Sequence, residues 1–515
     1  MRTRYTGVRK SMALLLAVTV FISVLVAPAV ALATSVPWFR IKAPMPTPLW
    51  GFAAAKGKGT SIWVLGGVDQ NAQVTTAVHQ FNPLTAGQPG GPGSWTLNVA
   101  SLDVPRCQTA VTTGSTGIIY MLGGSVNGHG AANAVDTVVA IDPNAASPQA
   151  VVIGHLQVAK YNARAEMIGN TIYVAGGISR TGQALSSIEG FQLDAGGMSG
   201  TNLGTVASLP SGRWAVGTFA RNGKLYIAGG RVGPFNNSPV TDETWVMDPA
   251  DYSLTPGDPL PYARTASKFG LMSGGAWYDC GGLQGDVLAF DPARAPGEQW
   301  LTVGSYPNPR NRVVNVSAFG FLYTMGGVDA AGNAVSDVAT AILLGTTGMS
   351  SGTVSGAGQT SVNLSGSLIS VAFPAGTTPG QLTVSTLSDT PSDVPPAFSG
   401  TVAAANIRLY DIATSADTGG GASTVTLPYN GTTPPLVQHW TGAAWVDVTP
   451  VDWDQVGHTL SFQTTSFSPF AIGESSSGGS PTTSTPASSP WSVAITVALG
   501  ACIGVWMLRP TNRAV

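Results

Sequence analysis

The sequence contains little charge, cysteine or histidine. Only 10% of its 515 residues are Asp, Glu, Lys or Arg, and no basic run occurs, which argues against a nucleic acid partner. Three cysteines are too few for a disulfide framework. The five histidines lie at 79, 129, 155, 439 and 458, and no closely spaced pair indicates a metal site. We therefore expect no metal or other cofactor, and we assign no catalytic residue.

Glycine is abundant, with 65 residues, and part of it forms a repeat. Short apolar runs such as Gly223-Lys-Leu-Tyr-Ile-Ala-Gly-Gly230 end in a diglycine whose first residue falls at 66, 123, 176, 229, 281 and 326. The spacing of 45 to 57 residues leaves room for several short strands in each copy. Such a period predicts a β-propeller, with one blade for each of the six copies.

Each copy contains further strand signals. In the fourth copy, the apolar run Trp214–Ala220 precedes a turn at Arg221-Asn-Gly223, and Thr244-Trp-Val-Met-Asp-Pro249 follows the diglycine. The runs have strand length and are bounded by strand terminators. A four-stranded meander with a diglycine after its second strand resembles the kelch repeat, over roughly residues 36–345. The resemblance implies a secreted, six-bladed propeller of the galactose-oxidase and kelch type.

The first and last repeats complement each other. The sixth copy stops after its third strand, Val338–Leu343, without a strand led by tryptophan. Pro37-Trp-Phe-Arg-Ile-Lys-Ala-Pro-Met-Pro46 has the pattern of the fourth strand Gln299-Trp-Leu-Thr-Val-Gly-Ser-Tyr-Pro307. We expect this N-terminal strand to complete the sixth blade, which would close the ring and remove its open edges.

A second all-β unit should follow the propeller of residues 34–345. Residues 346–358 are rich in Gly, Ser and Thr and predict a flexible linker, and the short alternating strands of 359–473 predict a β-sandwich. Phe373-Pro-Ala-Gly376, together with Ser466-Phe-Ser-Pro-Phe-Ala-Ile472, resembles the ZU5-like β-domains of bacterial surface proteins. That resemblance implies a spacer or docking module.

The two ends of the chain predict export and membrane attachment. Residues 1–33 have a basic start, an uncharged apolar run and the small-x-small sequence Ala31-Leu-Ala33, as in a signal peptide. A Ser/Thr/Pro stalk, 474–490, precedes an uncharged apolar run, 491–508, long enough for a transmembrane helix. The expected fold class is all-β: a six-bladed kelch β-propeller, a β-sandwich domain and a single C-terminal transmembrane helix. The expected location is the cell membrane, crossed once, with the ectodomain outside and 509–515 as the cytoplasmic tail.

A ring of basic residues is predicted at one mouth of the propeller channel. The position 16 or 17 residues before each diglycine, where the first strand begins, holds Trp50, Arg106, Lys160, Arg213, Arg264 and Arg310. Guanidinium groups bind carboxylates or paired hydroxyls through a fork of donors, and an aromatic ring can stack on the face of a sugar. These six residues are the candidate site for a glycan or protein ligand.

A structural alternative explains the same pattern. Each of five blades also offers an acid before its third strand, and these acids should open on the same face: Asp136, Glu189, Glu243, Asp286 and Asp337. The basic and acidic rings would then neutralise each other, and the ring would stabilise the fold rather than bind a ligand.

Three functions remain open at this stage. The preferred one is a cell-surface binding protein that presents the propeller to a glycan or a protein. The second is a sugar-active enzyme. Galactose oxidase needs a copper site that these histidines do not suggest, whereas bacterial sialic-acid mutarotases share the six-bladed kelch architecture and imply an acid and a base such as Glu189 or Glu243 with Arg213. The third is a purely structural envelope protein.

Overall fold

The structure, a computed structural model, describes residues 35–474 apart from 58, 60, 85–91, 236–237, 266–267, 273–275, 283–284, 293, 307, 320, 388–396, 399–406, 415, 417, 442–443 and 468. These residues form β-strands joined by turns, with a short 3-10 helix at Ala131–Asn133. The expected all-β class is confirmed.

Six antiparallel four-stranded meanders follow one another along the chain, and we number them blades 1 to 6. Four are separate sheets, whereas blade 2 pairs with one additional short strand and blade 6 is part of a nine-stranded sheet. Blade 1 comprises Ala53–Lys56, Ile62–Leu65, Ala77–Asn82 and Ser94–Ser101. Blade 2 comprises Ala110–Thr113, Ile119–Leu122, Val135–Ile141 and Ala150–Tyr161. Blade 3 comprises Arg164–Ile168, Thr171–Ala175, Ser187–Leu193 and Gly200–Ser208. Blade 4 comprises Gly217–Arg221, Lys224–Ala228, Thr244–Met247 and Leu254–Gly257. Blade 5 comprises Gly270–Leu271, Trp277–Cys280, Asp286–Phe290 and Trp300–Ser305. Blade 6 comprises Val314–Ala318, Phe321–Met325, Val338–Val354 and Ser35–Ile41.

The blades form a closed, propeller-like ring. The first strands of neighbouring blades contact each other in sequence, and the first strand of blade 6 contacts that of blade 1. Between blades 4 and 5 the link is a hydrogen bond of 2.9 Å from the Phe269 N–H to the Thr218 carbonyl. Apolar side chains fill the space between adjacent blades, as in the cluster that joins Tyr120 to Val174. Their burial is the main stabilising contribution to each junction.

The N-terminal strand completes blade 6, as predicted. Ser35–Ile41 pairs in antiparallel register with Val338–Val354, with Trp38 opposite Ile342. Trp38 is fully buried and stacks on Trp440 of the second domain, with ring centroids 5.5 Å apart. The Trp440 indole also donates a hydrogen bond of 3.1 Å to the Phe39 carbonyl. The strand that closes the ring therefore also anchors the second domain.

Each diglycine is required by a backbone contact between blades. The second glycine donates its N–H to a carbonyl of the next blade, for example Gly67 to Arg106 at 2.9 Å and Gly177 to Arg213 at 2.9 Å. A Cβ on the first glycine, Gly176, would lie 2.3 Å from the Arg213 carbonyl oxygen, and its φ is +61°. Only glycine tolerates both conditions. The repeated diglycine therefore marks the backbone contact between one blade and the next.

The second domain is a sandwich of two sheets. One comprises the end of Val338–Val354 with Gly380–Leu387, Arg408–Thr414, Pro469–Glu474, Pro435–Trp440 and Trp445–Asp447. The other comprises Gly358–Leu364, Ser367–Phe373, Ser423–Pro428, Thr459–Thr464 and Val451–Asp454. Side chains of both sheets, such as Val371 and Ile412, meet in one apolar core.

The predicted flexible linker is wrong for most of its length. Residues 346–354 continue the strand Val338–Val354 without a break from blade 6 into the sandwich, where they pair with Gly380–Leu387. A ladder uses backbone N–H and C=O groups, so a Gly/Ser/Thr composition does not prevent pairing when an edge is offered. The junction is a shared strand.

The predicted fold class is also corrected at its C-terminal end. Within the part of the chain that the structure describes, no helix is long and apolar enough to cross a membrane. The expected transmembrane segment, 491–508, lies outside the described residues, as do 1–33, 475–490 and 509–515.

Candidate functional site

The five predicted cations are buried in ion pairs. None of their side chains is more than 6% exposed. The pairs are Arg106 with Asp103 at 3.3 Å, Lys160 with Glu189 at 2.7 Å, Arg213 with Glu243 at 2.6 Å, Arg264 with Asp286 at 3.0 Å and Arg310 with Asp337 at 3.4 Å. Four of the five acids expected to oppose them do so. Asp136 instead lies 3.1 Å from His155.

These cations also bind the backbone of their own blade. Arg264 donates to the carbonyl of Gly281 at 2.7 Å, and Arg310 donates to that of Gly326 at 2.6 Å. Arg106 bonds Gly123 in the same way at 3.1 Å. The predicted ring therefore holds the start of each first strand against the loop after the second. It is not an open ligand surface, because all five side chains are buried.

Trp50 does not belong to that ring. The carbonyl that receives the Gly327 N–H, at 3.0 Å, is that of Leu49, so Leu49 is the residue of blade 1 equivalent to Arg106 and Arg213. Trp50 is one residue further along and is equivalent to Trp214. Successive residues of a strand point to opposite faces. The sequence count of 16 or 17 residues allowed this one-residue error, and Trp50 lies on the other face from the buried cations.

The residues that follow Trp50, Trp214 and their equivalents Cys107 and Tyr161 form a belt around the mouth of the channel. Gly51, Gln108, Asn162 and Ala215 have φ between 51° and 61°. The N–H of each of the last three donates to the carbonyl of the one before, at 2.5, 3.0 and 3.1 Å. All four, with the equivalent Arg312 of blade 6, line a central cavity. The belt is a rigid rim that presents two carboxamides and one guanidinium.

The central cavity is about 290 Å³ in volume and is lined by residues of all six blades. Five cationic side chains and one carboxylate are among its lining: Arg164, Arg231, Arg264, Lys268, Arg312 and Asp279. Arg264 contacts Asp279 at 3.4 Å and Asp286 at 3.0 Å, so its charge is balanced. The other cations leave the cavity with an excess of positive charge, which attracts anions into a confined space.

Three of these arginines form no ion pair within 4 Å with any carboxylate of the described residues. Arg164 donates to the Ala163 carbonyl at 3.1 Å, and Arg231 to the Ser238 carbonyl at 2.6 Å. Arg312 is exposed and lies over the Trp50 ring, 4.5 Å from its centroid. Burial lowers the pKa of Arg164, and the nearby charge of Asp279 opposes this. A guanidinium retains its charge under such a shift.

Lys268 crosses the channel below the rim. Its ammonium lies 3.1 Å from the Glu166 carboxylate and donates to the carbonyls of Val111 and Ala165 at 3.4 Å each. Burial raises the pKa of Glu166, and the interactions with Lys268 and Thr218 oppose that rise. One side chain of blade 5 thereby connects blades 2 and 3 and forms part of the cavity floor.

The comparisons with known proteins show no family for this chain. No protein-family model matches the chain, and no curated protein matches it. Among solved structures, the chain is similar to the one titled "Structure of YjhT", with 15% sequence identity, a TM-score of 0.45, and coverage of 58% of this chain and 95% of that chain. This similarity is low and does not bear on the ligand.

Of the cations that line the cavity, the sequence indicated Arg264 but not Arg164, Arg231, Lys268 or Arg312. Arg312 lies two residues after Arg310, and Lys268 lies four after Arg264. Strand periodicity could not have indicated Arg312, because it places the second residue on the same face as the buried Arg310, whereas the φ of 56° at Arg312 interrupts the strand. No group of three or more His, Cys, Asp or Glu among the described residues is arranged to hold a metal ion.

Proposed function

We propose that the propeller is a binding protein whose central cavity takes a carboxylate-bearing sugar, and that it acts outside the cell. The observation that carries the proposal is the set of three arginines, Arg164, Arg231 and Arg312, which share one cavity without a carboxylate partner within 4 Å among the described residues. A guanidinium binds a carboxylate through two parallel hydrogen bonds.

The remainder of the rim suits a polyhydroxyl ligand. Gln108 and Asn162 present carboxamides that can donate to hydroxyls or accept from them. Trp214 and Phe235 line the same cavity, and Phe235 is 37% exposed. Apolar faces of sugar rings stack on aromatic side chains, so these rings provide contact area while the carboxamides provide direction.

The proposed location rests on the sequence. The signal-like pattern of residues 1–33 and the low charge content support export, and a hydroxyl-rich surface suits the outside of a cell. A protein ligand in place of a glycan would need a larger apolar contact area than the cavity offers.

The test is calorimetric titration with galacturonic acid and with galactose, its neutral counterpart. We expect the uronate to bind more tightly, and Arg312→Gln or Arg231→Gln to weaken it about ten- to hundred-fold, since a hydrogen bond to a charged group contributes about 1.5–3 kcal/mol. Arg221→Gln is the matched control, because Arg221 also stacks on a tryptophan, at 5.9 Å from the Trp277 centroid, but does not line the cavity. Equal binding of both sugars would contradict the proposal.

A sugar-active enzyme is the second candidate, favoured by the Lys268–Glu166 pair at the floor. Lys268 lines the cavity, and its ammonium lies 3.1 Å from Glu166, whose pKa burial raises, so the pair could act in proton transfer on a bound sugar ring through Lys268. Ring-opening of the bound uronate, followed by NMR, should then stop in Glu166→Gln without loss of binding. Unchanged exchange rates in that variant would exclude this role.

A further inference from the structure

Two arginine–tryptophan stacks lie on opposite sides of the cavity. In one, Arg312 of blade 6 lies over Trp50 at the start of blade 1, 4.5 Å from the ring centroid. In the other, Arg231 of blade 4 lies over Trp214, 5.7 Å from the centroid. In a closed ring of six, blades 1 and 4 are three positions apart and therefore face each other across the channel.

Each stack leaves hydrogen-bonding capacity for a ligand. A guanidinium carries five N–H donors, and a contact with an indole face uses none of them in a conventional hydrogen bond. Arg312 is exposed, and Arg231, which is half-buried, donates one N–H group to Ser238 and retains others. Both stacks are extended by another ring: His129 meets the edge of Trp50 at 4.9 Å, and Phe235 packs on Trp214 at 5.2 Å.

The cavity itself is small for a ligand pocket. Its volume of about 290 Å³ is at the lower end of the roughly 300–1,000 Å³ of ligand pockets. It therefore suits a single small ring. Trp50 and His129 lie beside the cavity, outside its lining. Gln108 and Asn162 occupy the rim on blades 2 and 3, between the two stacks.

We propose that the ligand is a chain of carboxylated sugar units that crosses the mouth from one stack to the other. One unit places its carboxylate at Arg312 and its ring against the pair Trp50 and His129, and another places its carboxylate at Arg231 and its ring against the pair Trp214 and Phe235. The carboxamides of Gln108 and Asn162 bind hydroxyls of the units between them. A polyuronide has this chemistry, because every unit carries a carboxylate and an apolar ring face. The inference rests on the proposed function and extends it from a single sugar to a chain.

The experiment titrates the protein with galacturonic acid and with its linear dimer, trimer, tetramer and hexamer. We expect affinity to rise about ten-fold or more at the length that first reaches both stacks, because the second contact becomes intramolecular, and then to level off. Trp50→Ala should abolish this rise, because the unit at Arg312 then loses the ring against which it packs. Trp50→Phe should restore part of the rise and shows whether the alanine variant is merely misfolded. Trp277→Phe, in the stack with Arg221 away from the cavity, is the matched control.

The outcomes separate the two proposals. Tight monomer binding without any gain for longer chains would overturn the chain inference and leave the proposed function in place. Failure of every uronide to bind would overturn both. An equal gain with length for oligoglutamate, which carries regularly spaced carboxylates without sugar rings, would refute the saccharide part, because the aromatic and carboxamide contacts would then contribute nothing.

Discussion

A buried carboxylate in the β-sandwich should make the protein less stable as pH rises. Asp411 lies in the strand Arg408–Thr414 and is 2% exposed. Its neighbours Tyr410 and Ile412 point into the sandwich core, so Asp411 points to the other face, where this strand contacts Trp300–Ser305 of blade 5. Among the described residues, its Oδ1 atom and the hydroxyl of the cross-strand Ser385 have no hydrogen-bond partner.

Burial without a compensating charge raises the pKa of Asp411 from 3.8 to about 8. In the folded protein the group stays protonated up to that pH, whereas in the unfolded chain it ionises near pH 4. The contribution of Asp411 to stability is therefore greatest below pH 4 and falls by about 1.4 kcal/mol for each pH unit between 4 and 8. The loss is about 4 kcal/mol at pH 7 and about 5–6 kcal/mol above pH 8.

Asp411→Asn removes the titration and keeps the shape of the side chain. We expect the variant to be as stable as the parent, or less so, at pH 4, because its buried amide needs partners, and progressively more stable at higher pH. Urea denaturation from pH 4 to pH 8.5, followed by tryptophan fluorescence and circular dichroism, measures both curves. Asp452→Asn, at an exposed position of the same domain, is the control and should change neither slope. A constant difference between Asp411→Asn and the parent across this range would refute the reasoning.

Two further predictions concern the blade junctions and the cavity floor. Gly176→Ala should cost about 3 kcal/mol or more, because the new Cβ would lie 2.3 Å from the Arg213 carbonyl oxygen at a φ of +61°. Gly169→Ala has nearly the same φ, +62°, and nothing within 4 Å, so it should cost only about 1 kcal/mol; equal losses in thermal denaturation would show that the close approach is irrelevant. Lys268→Met should cost about 3 kcal/mol by leaving the Glu166 carboxylate buried without its cation, and adding Glu166→Gln should recover most of it. Additive losses in that double variant would contradict an ion pair.

The repeat itself could be predicted because it is a local requirement repeated in each blade. A positive φ and the approach of a neighbouring carbonyl admit only glycine, so every junction leaves the same pair of residues in the sequence. The closing strand was also predictable, since Trp38 occupies the position that a leading tryptophan occupies in other blades. Strand length and terminators sufficed for the all-β class.

The role of each cation could not be read from the sequence, because it depends on the face to which the side chain points. A shift of one residue along a strand exchanges the two faces, and this is why Trp50 was grouped with Arg213 although Leu49 is its true equivalent. Spacing alone cannot resolve one residue in a repeat whose loops vary in length. For the same reason, the spacing could not assign Arg312, two residues beyond the buried Arg310, to the cavity.

The sequence by itself determined the number of blades, the meander within each and the strand that closes the ring, because all three follow from local backbone conformation and strand patterning. Only the tertiary structure decided which arginines neutralise acids inside a blade and which share the central cavity. It also turned the expected linker into a strand shared by both domains. Ion pairs, a common cavity and sheet edges join residues that are distant in the chain, so their energies depend on how the blades and the sandwich meet.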